Sequence, residues 1–339
     1  MSGGILRHIE AILETGSIVA ASRKLFVSQP SLTQYVKRVE AEYEIEIFDR
    51  SSTPWKLTQE GEKLLEAQRR IDAIERECRQ YFADRKGLKT GAVRVGSTAY
   101  RTATLLNPVL SVFKRAYPGI SVSVEEGTTR EVIDWADAGR VDCAFAVTEM
   151  VPSSMEHEKV FAEGVLVGLA PDHPIARGAS APAQLEDLPE IDFKGLADTP
   201  FIIMKSGQIF HEYFNRLCEK YRVLPPVSLE TQSILTVPAL IATGLGAALI
   251  PSTIAEGCRE RDVVLFRLPA GDLPVNEVSI AWRRGRYQGY AARAFVQTCL
   301  QVLGRLDCIQ KNPGTMCGSG TLTLFRKAPP RRSVRQAPR

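Results

Sequence analysis

The sequence predicts an α/β chain in three parts: an all-α N-terminal segment with a small wing, one long linker helix, and a two-lobed α/β half. Three observations carry this. Apolar residues recur at helical spacings of three and four up to Val39. A charged stretch from Thr58 to Gly87 keeps only one apolar seam. From Ala92 onward, short β-branched runs alternate with helical stretches, which implies a mostly parallel sheet with helices on both faces. At 339 residues the chain is long enough for two or three domains with sizeable cores.

Ile5, Leu6, Ile9, Ile12 and Leu13 line one face of a first helix. Ser17 is suited to cap a second, short helix whose buried stripe is Ile18, Ala21 and Leu25. Phe26 and Val27 interrupt it, and Ser28 caps a third helix with Pro30 tolerated in its first turn. Leu32, Tyr35, Val36 and Val39 face inward there; Gln29, Ser31, Thr33, Gln34 and Lys37 face outward. Two short helices across a three-residue turn, the second polar on its free side, form a helix-turn-helix. That free side suits a DNA major groove: Gln pairs with adenine edges, Ser and Thr with several bases or phosphates, and a Thr methyl with thymine. Periodicity alone reports burial, so two amphipathic helices of any small bundle would read the same way. The third helix before them and the wing after them (Ile45, Ile47, Phe48, then Asp49 to Leu57) favour the DNA-binding reading.

At these residues the first ninety or so positions resemble a LysR-type transcriptional regulator. The likeness rests on Gly16-Ser17, Ala20-Ala21, Leu25, Ser28-Gln29-Pro30-Ser31-Leu32-Thr33, Val39-Glu40, Ile47-Phe48, Arg50, Leu57-Thr58 and Gly61. The resemblance implies that Gln29, Pro30, Thr33 and Gln34 approach bases and that the wing, Arg50 to Lys56, meets the backbone or minor groove. Glu44 stands where the family has a helix-ending Gly, so a left-handed cap there carries strain. The wing reads Ser51-Ser52-Thr53-Pro54-Trp55 where a second Arg is common, with Lys56 as its substitute.

Bulk charge argues neither way. The formal net charge is +4, but residues 306–339 hold seven Lys and Arg against one acid, Asp307, and the rest of the chain is slightly acidic. Any affinity for DNA must come from a local basic face, for which Arg23, Lys24, Lys37, Arg38, Arg50 and Lys56 are candidates. Seven scattered Cys with no CxxC pair, and no leader-like N-terminus, predict reduced thiols and a cytoplasmic chain. No stretch is long and apolar enough for a membrane span, and His8, His157, His173 and His211 are not spaced for a metal.

Thr58 is suited to cap the linker helix, with Glu60 and Glu62 in its first turn. Its seam is Leu64, Ala67, Ile71, Ile74, Cys78 and Tyr81, while Arg69, Arg70, Asp72, Glu75, Arg76 and Glu77 keep the other faces charged. A partner helix from a second copy is the expected cover, which pairs two reading helices for a pseudo-palindromic site. Gly87 and Thr90-Gly91 mark a hinge.

In the second half, Val93 and Val95, Ile120 to Val124, Val141 to Val147, Val165 to Leu169, Phe201 to Met204, Val227 to Glu230, Ala247 to Ile250 and Asn276 to Trp282 read as strands. Leu105 to Phe113, the Val132–Trp135 stretch, Phe210 to Tyr221, Ile234 to Thr243 and Tyr290 to Leu303 read as helices, and Pro251 as a strand stop. Two α/β units, with the last strand and helix returning to the first, describe a bilobed ligand-binding domain. This half also resembles the LysR-type effector domain, itself similar to periplasmic solute-binding proteins, through Val93-Arg94-Val95-Gly96, Tyr117-Pro118-Gly119-Ile120, Val141-Asp142 and Gly244 to Pro251. The resemblance covers roughly residues 4–305. The expected division is 1–58 for DNA binding and 59–89 for the linker. The effector domain is expected at 90–305, with lobe I at 90–164 and 269–305 and lobe II at 165–268. Residues 306–339, rich in Gly, Pro, Ser and basic residues, are expected to be a disordered tail.

Ligands of such sheets bind beyond the carboxyl ends of the strands, where the units face each other. The loops that qualify supply Ser97, Thr98 and Arg101, then Thr128 and Thr129, then Thr148, Lys205 and Ser206, and Gln232 and Ser233. Hydroxyls and free N–H groups at helix starts suit a small polar or anionic effector such as a carboxylate, with Lys205 or Arg101 to neutralise it. The plain alternative is N-capping by Ser and Thr. No cofactor is expected: Gly244-Leu245-Gly246 is a lone fragment of a phosphate loop, and no nucleophile elbow appears. The expected protein is therefore a ligand-responsive DNA-binding regulator, homodimeric through its linker and tetrameric if it follows the family. Its rivals are a free-standing solute-binding protein, or an enzyme on the same scaffold using Glu125, Glu126 and His211.

Overall fold

The computed structural model describes residues 3–51, 53–87, 90–179, 185–274 and 276–311. The N-terminal domain packs α1 (Gly3–Thr15), α2 (Ile18–Leu25) and α3 (Gln29–Tyr43) with a two-stranded wing, β1 (Phe48–Asp49) and β2 (Lys56–Leu57). Its core joins Leu6, Ile9, Ile12, Ile18, Ala21, Leu25, Leu32, Val36, Val39, Ile47 and Phe48 to Leu64 and Leu65 of the next helix. Each short helix is closed by a local device. The Ser17 hydroxyl accepts from the Ala20 N–H, and α2 ends on Phe26 in the left-handed region (φ 56°). Ser28 accepts from Ser31 N–H to start α3, which ends on Glu44 at φ 54°.

The strain expected at Glu44 is therefore present. Glu44→Gly should stabilise the N-terminal domain by about 1 kcal/mol, the usual cost of a side chain in that region. Urea unfolding checks this through a higher midpoint at unchanged slope.

The linker α4 runs Gln59–Arg85, capped by the Thr58 hydroxyl on Gly61 N–H. Its seam divides. Leu64 is buried in the N-terminal core, whereas Ile71 (39%), Ile74 (62%) and Tyr81 (43%) are exposed, as is the neighbouring Phe82 (62%). The charged flank is not merely solvated, which corrects the expectation that only the seam is buried. Ala73 is buried, Arg76 donates to Gly139 O (2.7 Å), and Arg286 donates to Ala73 O (3.3 Å). Glu77 accepts from Tyr287 N–H (3.0 Å), and Asp84 accepts from the Tyr287 hydroxyl (2.7 Å) and Tyr290 N–H (2.8 Å). The second half of α4 thus rests on the chain's own lobe I.

Lobe I holds β3 (Gly91–Ser97), α5 (Ala99–Arg101), a π-helical turn Thr102–Leu106, α6 (Asn107–Ala116), β4 (Ile120–Glu126), α7 (Thr129–Asp137), β5 (Cys143–Val147) and β6 (Met155–Glu163). Lobe II follows with β7 (Val165–Leu169), β8 (Phe201–Met204), α8 (Ile209–Tyr221), β9 (Val227–Thr231), α9 (Val237–Ala242), β10 (Ala248–Pro251), α10 (Ala255–Arg259) and β11 (Val264–Arg267). The chain then returns through β12 (Asn276–Arg283) and α11 (Tyr290–Lys311) to pack on lobe I.

The sheets are mixed, not mostly parallel. In the order β4-β3-β5-β12-β6, β3 is parallel to β4 and β5, but β12 runs against β5 and β6. In lobe II, β7 runs against β10 and β11, while β8 and β9 are parallel. The reversed strands are the two that arrive from the other lobe, β7 and β12. They enter their sheets from the opposite end with no crossover helix to restore direction.

Strand β6 has no counterpart in the sequence reading. Glu156, His157, Glu158 and Lys159 are all exposed on this edge strand, which hides its apolar rhythm. The helix expected from Leu105 starts at Asn107, after the π turn. The one expected from Ile234 splits into a 3₁₀ turn, Ile234–Thr236, and α9. Pro251 closes β10 from inside the strand. The last helix runs past Leu303 to Lys311, so residues 306–311 of the expected tail have helical backbone; the remainder, 312–339, lies outside the described residues.

Candidate nucleic-acid interface and inter-lobe cleft

The outward side of α3 carries Gln29, Pro30, Ser31, Gln34 and Lys37, all exposed together with Ser28 just before it; Thr33 is half-buried. Two hydroxyls are spent locally. Ser31 shares a hydrogen bond with Ser28 (2.7 Å), and Thr33 donates to Gln29 O (2.9 Å). That bond on the Thr33 hydroxyl leaves its methyl as the group free for an apolar base contact. The amide side chains of Gln29 and Gln34 project from this helix into solvent beside the exposed Lys37. Beside them, the wing strands pair in the register Phe48↔Leu57 and Asp49↔Lys56. Lys56 is exposed, but Arg50 is tied to Glu40 (2.6 Å) and lies 5.6 Å from the Trp55 ring centre. Half of its side chain remains open to solvent, so it can still meet a phosphate, at the expense of the Glu40 pair.

In the effector half, the expected loops gather at the carboxyl ends of strands. Ser97 and Thr98 end β3 and are both buried, and the Thr98 hydroxyl accepts from the Arg101 N–H. Thr128 caps α7 in a reciprocal capping box with Glu131, and Thr129 behind it is buried. Thr148, after β5, donates to Glu277 O (3.0 Å) and shares a hydrogen bond with Ser279 (2.6 Å). From lobe II, Lys205 and Ser206 follow β8, and Gln232 and Ser233 follow β9; all four are exposed. Gly207 brings the β8 loop over to Thr128: a Cβ on Gly207 would sit 3.8 Å from the Thr128 hydroxyl. So Thr128 faces the Lys205–Gly207 loop across the cleft, while N-capping accounts fully for the hydrogen bonds of Thr98 and Thr128.

Sequence reading missed a buried polar cluster where the lobes join. Glu163 ends β6 and Asn276 begins β12, so each sits at one of the two crossings. Glu163 accepts from the Tyr100 hydroxyl, from Asn276 Nδ2 (2.8 Å) and from the Thr253 hydroxyl (2.9 Å). Tyr213 of α8 donates to Asn276 Oδ1 (3.2 Å), and the Ser252 hydroxyl accepts from Gly164 N–H (3.0 Å). Burial pushes the Glu163 carboxyl up, opposed by the Arg101 charge and by the Tyr100 and Thr253 hydrogen bonds. Burial likewise drives the Tyr100 hydroxyl well above its ordinary range. The sequence pointed to this cluster only through the loop after β3, which carries Tyr100 and Arg101; the other members are too far apart in the chain for any motif to join them. At the cleft rim, Arg216 of α8 pairs with Glu149 (2.5 Å), an exposed link between the lobes.

Two of the three groups that the enzyme alternative invoked are committed elsewhere, and the third, Glu126, is exposed at the end of β4. Glu125 is held by Arg140, and the His211 ring bonds Met204 O (2.7 Å). Among the described residues, no group of His, Cys, Asp and Glu is placed to hold a metal, and no helix is long and apolar enough to cross a membrane.

Known proteins show the same two halves. Residues 5–62 match the bacterial regulatory helix-turn-helix proteins of the lysR family, and residues 86–304 match the LysR substrate binding domain. A probable RuBisCO transcriptional regulator from Cyanidioschyzon merolae is 28% identical over 311 residues, spanning 88% of this chain and 97% of that protein. One from Synechocystis sp. is 27% identical over 306 residues, 87% and 84% respectively. The crystal structure of full-length CbnR complexed with its target DNA superposes with a TM-score of 0.61 at 21% identity, covering 88% of this chain and 98% of that one.

Proposed function

This chain belongs to the LysR family of transcriptional regulators, and from that premise we propose how its parts divide the work. It is a DNA-binding, ligand-responsive regulator that acts as an oligomer, and not an enzyme. In our reading, residues 1–58 bind DNA, with Gln29, Thr33 and Gln34 of α3 touching bases in a major groove. Ser28, Pro30, Ser31 and Lys37 lie along the same approach, and Arg50 and Lys56 hold the flanking backbone. Residues 59–89 pair two chains, so that two reading helices address the halves of a pseudo-palindromic promoter site. Residues 90–305 sense a small polar or anionic effector between the lobes, with Ser97, Thr98, Arg101, Thr128, Thr129, Thr148, Lys205, Ser206, Gln232 and Ser233 as its candidate contacts. Residues 306–339 are a basic appendage.

The observation that carries this is the open polar side of α3, capped by Ser28 and flanked by an exposed Lys56, on a domain whose core is built from the helices' apolar stripes. Regulation follows from a shift of population: an effector that binds one lobe arrangement more tightly changes how the paired heads are presented.

Gln29→Ala tests the reading. In gel-shift titrations with the DNA upstream of its own coding region, it should cost about 1–3 kcal/mol on the specific site and little on random DNA. Equal losses on both would show that Gln29 does not read bases. Absence of any complex with the wild-type protein at low salt would remove the DNA-binding role altogether.

A further inference from the structure

Arg101 is the candidate effector contact that is buried with its side-chain nitrogens unpartnered among the described residues. Its side chain is fully buried (0% exposed), and among the described residues it is the bulkiest such side chain and its Nε, Nη1 and Nη2 have no hydrogen-bond acceptor. Its guanidinium lies 5.6 Å from the Tyr100 ring centre. Glu163 stands near enough for the two charges to influence each other, yet the pair is not in contact. Both Glu163 oxygens are already engaged, Oε1 by Tyr100 and Asn276 and Oε2 by Thr253. A guanidinium withdrawn from water without acceptors is among the costliest groups a fold can carry. The Tyr100 ring and the Glu163 carboxyl offset only part of that cost, since neither supplies a hydrogen-bond acceptor to the guanidinium.

The position of Arg101 suggests what does. It ends α5, one short turn beyond the carboxyl end of β3, where ligands of such sheets bind. The backbone immediately after it is π-helical, Thr102–Leu106, a distortion that concentrates at functional positions. Around it are Tyr100 from lobe I, Glu163 and Asn276 from the two crossings, and Tyr213 from lobe II.

Building on the effector-cleft reading above, we propose that Arg101 anchors the effector, and that the effector is a monocarboxylic acid whose acid group enters the junction of the lobes. A planar carboxylate fits the planar fork of Arg with two parallel hydrogen bonds. Burial pushes the Glu163 carboxyl up, disfavouring its charged form, so a single anionic charge offsets Arg101, whereas a dianionic phosphate would leave an excess negative charge in the junction. Because the groups lining this spot come from both lobes and both crossings, an acid bound there favours the lobe arrangement that surrounds it.

The test compares the full-length protein with Arg101→Met, which keeps the bulk and removes the charge. The probes are acetate, lactate and benzoate, the corresponding neutral amides, and inorganic phosphate, each at constant ionic strength. Thermal unfolding and binding to the upstream DNA are both measured. At least one carboxylate should raise the wild-type midpoint by about 2 °C or more while its amide and phosphate do not. Arg101→Met should unfold at a higher temperature than wild type without ligand, and lose the carboxylate response while still binding DNA. Should that variant not fold, Arg101→Lys replaces it, since it keeps the charge but not the fork; its carboxylate response should fall at least tenfold in apparent affinity. An unchanged response in either variant, a phosphate response larger than any carboxylate's, or no carboxylate response in the wild type overturns the assignment. Those results leave the regulator reading intact as long as the wild type binds its upstream DNA; loss of that binding is the separate failure of the reading itself.

Discussion

Gly61→Ala should unfold the DNA-binding domain while the effector half stays folded. Gly61 lies in the first turn of the linker helix, where the Thr58 hydroxyl accepts its N–H at 2.9 Å. A Cβ there would sit 2.1 Å from Ile47 O, 3.0 Å from the carbon of that carbonyl and 3.1 Å from a Leu57 methyl. The carbonyl cannot swing away, because Thr58 N–H bonds it at 3.1 Å and Ile47 itself is fixed in the core beside Phe48. Relief requires the linker helix and the wing to separate, opening the core at Leu64 and Leu65. The cost is about 3 kcal/mol or more, a large part of what a domain of this size has to spare. Calorimetry should show the effector transition unchanged and the N-terminal one lost or far lower, with promoter binding abolished. A single wild-type-like transition would mean the contact is relieved by some smaller movement.

Ile74→Lys should separate the dimer without unfolding the chain. Ile74 is 62% exposed, so a charge there costs the folded chain little, within about 0.5 kcal/mol. In a paired linker, however, the same charge would be buried opposite its own copy. Sedimentation should move from dimer, or a higher even assembly, toward monomer. Affinity for an intact pseudo-palindrome should fall about 10²–10⁴-fold, the advantage of two linked reading heads over one. Affinity for an isolated half-site should hardly change. A dimer that persists would show that the seam is not the pairing surface.

The N-terminal domain was legible because its signals are local. Ser17, Ser28 and Thr58 each cap the helix they precede, and the stripes Ile18–Ala21–Leu25 and Leu32–Val36–Val39 are buried as their spacing requires. Glu44 was legible only through the family resemblance, which places a helix-ending Gly at its position. The strand directions were less so. Runs such as Val165 to Leu169 announce a strand but not which way its neighbour runs, and only the exchange of strands between lobes reverses β7 and β12. Strand β6 was silent because an edge exposes what a central strand hides. The polar junction was illegible for a different reason: Tyr100, Glu163, Tyr213, Thr253 and Asn276 meet only through the fold. Likewise Arg76 and Glu77 read as ordinary helix-surface charge until Arg286 and Tyr287 arrive from the far end of the sequence.

That last contact gives the linker helix a mechanical character. Its far end is clamped to lobe I through Asp84, Glu77 and Ala73, and its near end is embedded in the DNA-binding domain through Leu64 and Leu65. A rod of 27 residues is about 40 Å long. The clamp reaches back to Ala73, so roughly 20 Å of the rod projects beyond it, and a ten-degree turn sweeps its tip by roughly 4 Å, about one base-pair step along a duplex. A modest movement at one end of this lever is therefore magnified into a change of stride between half-sites at the other.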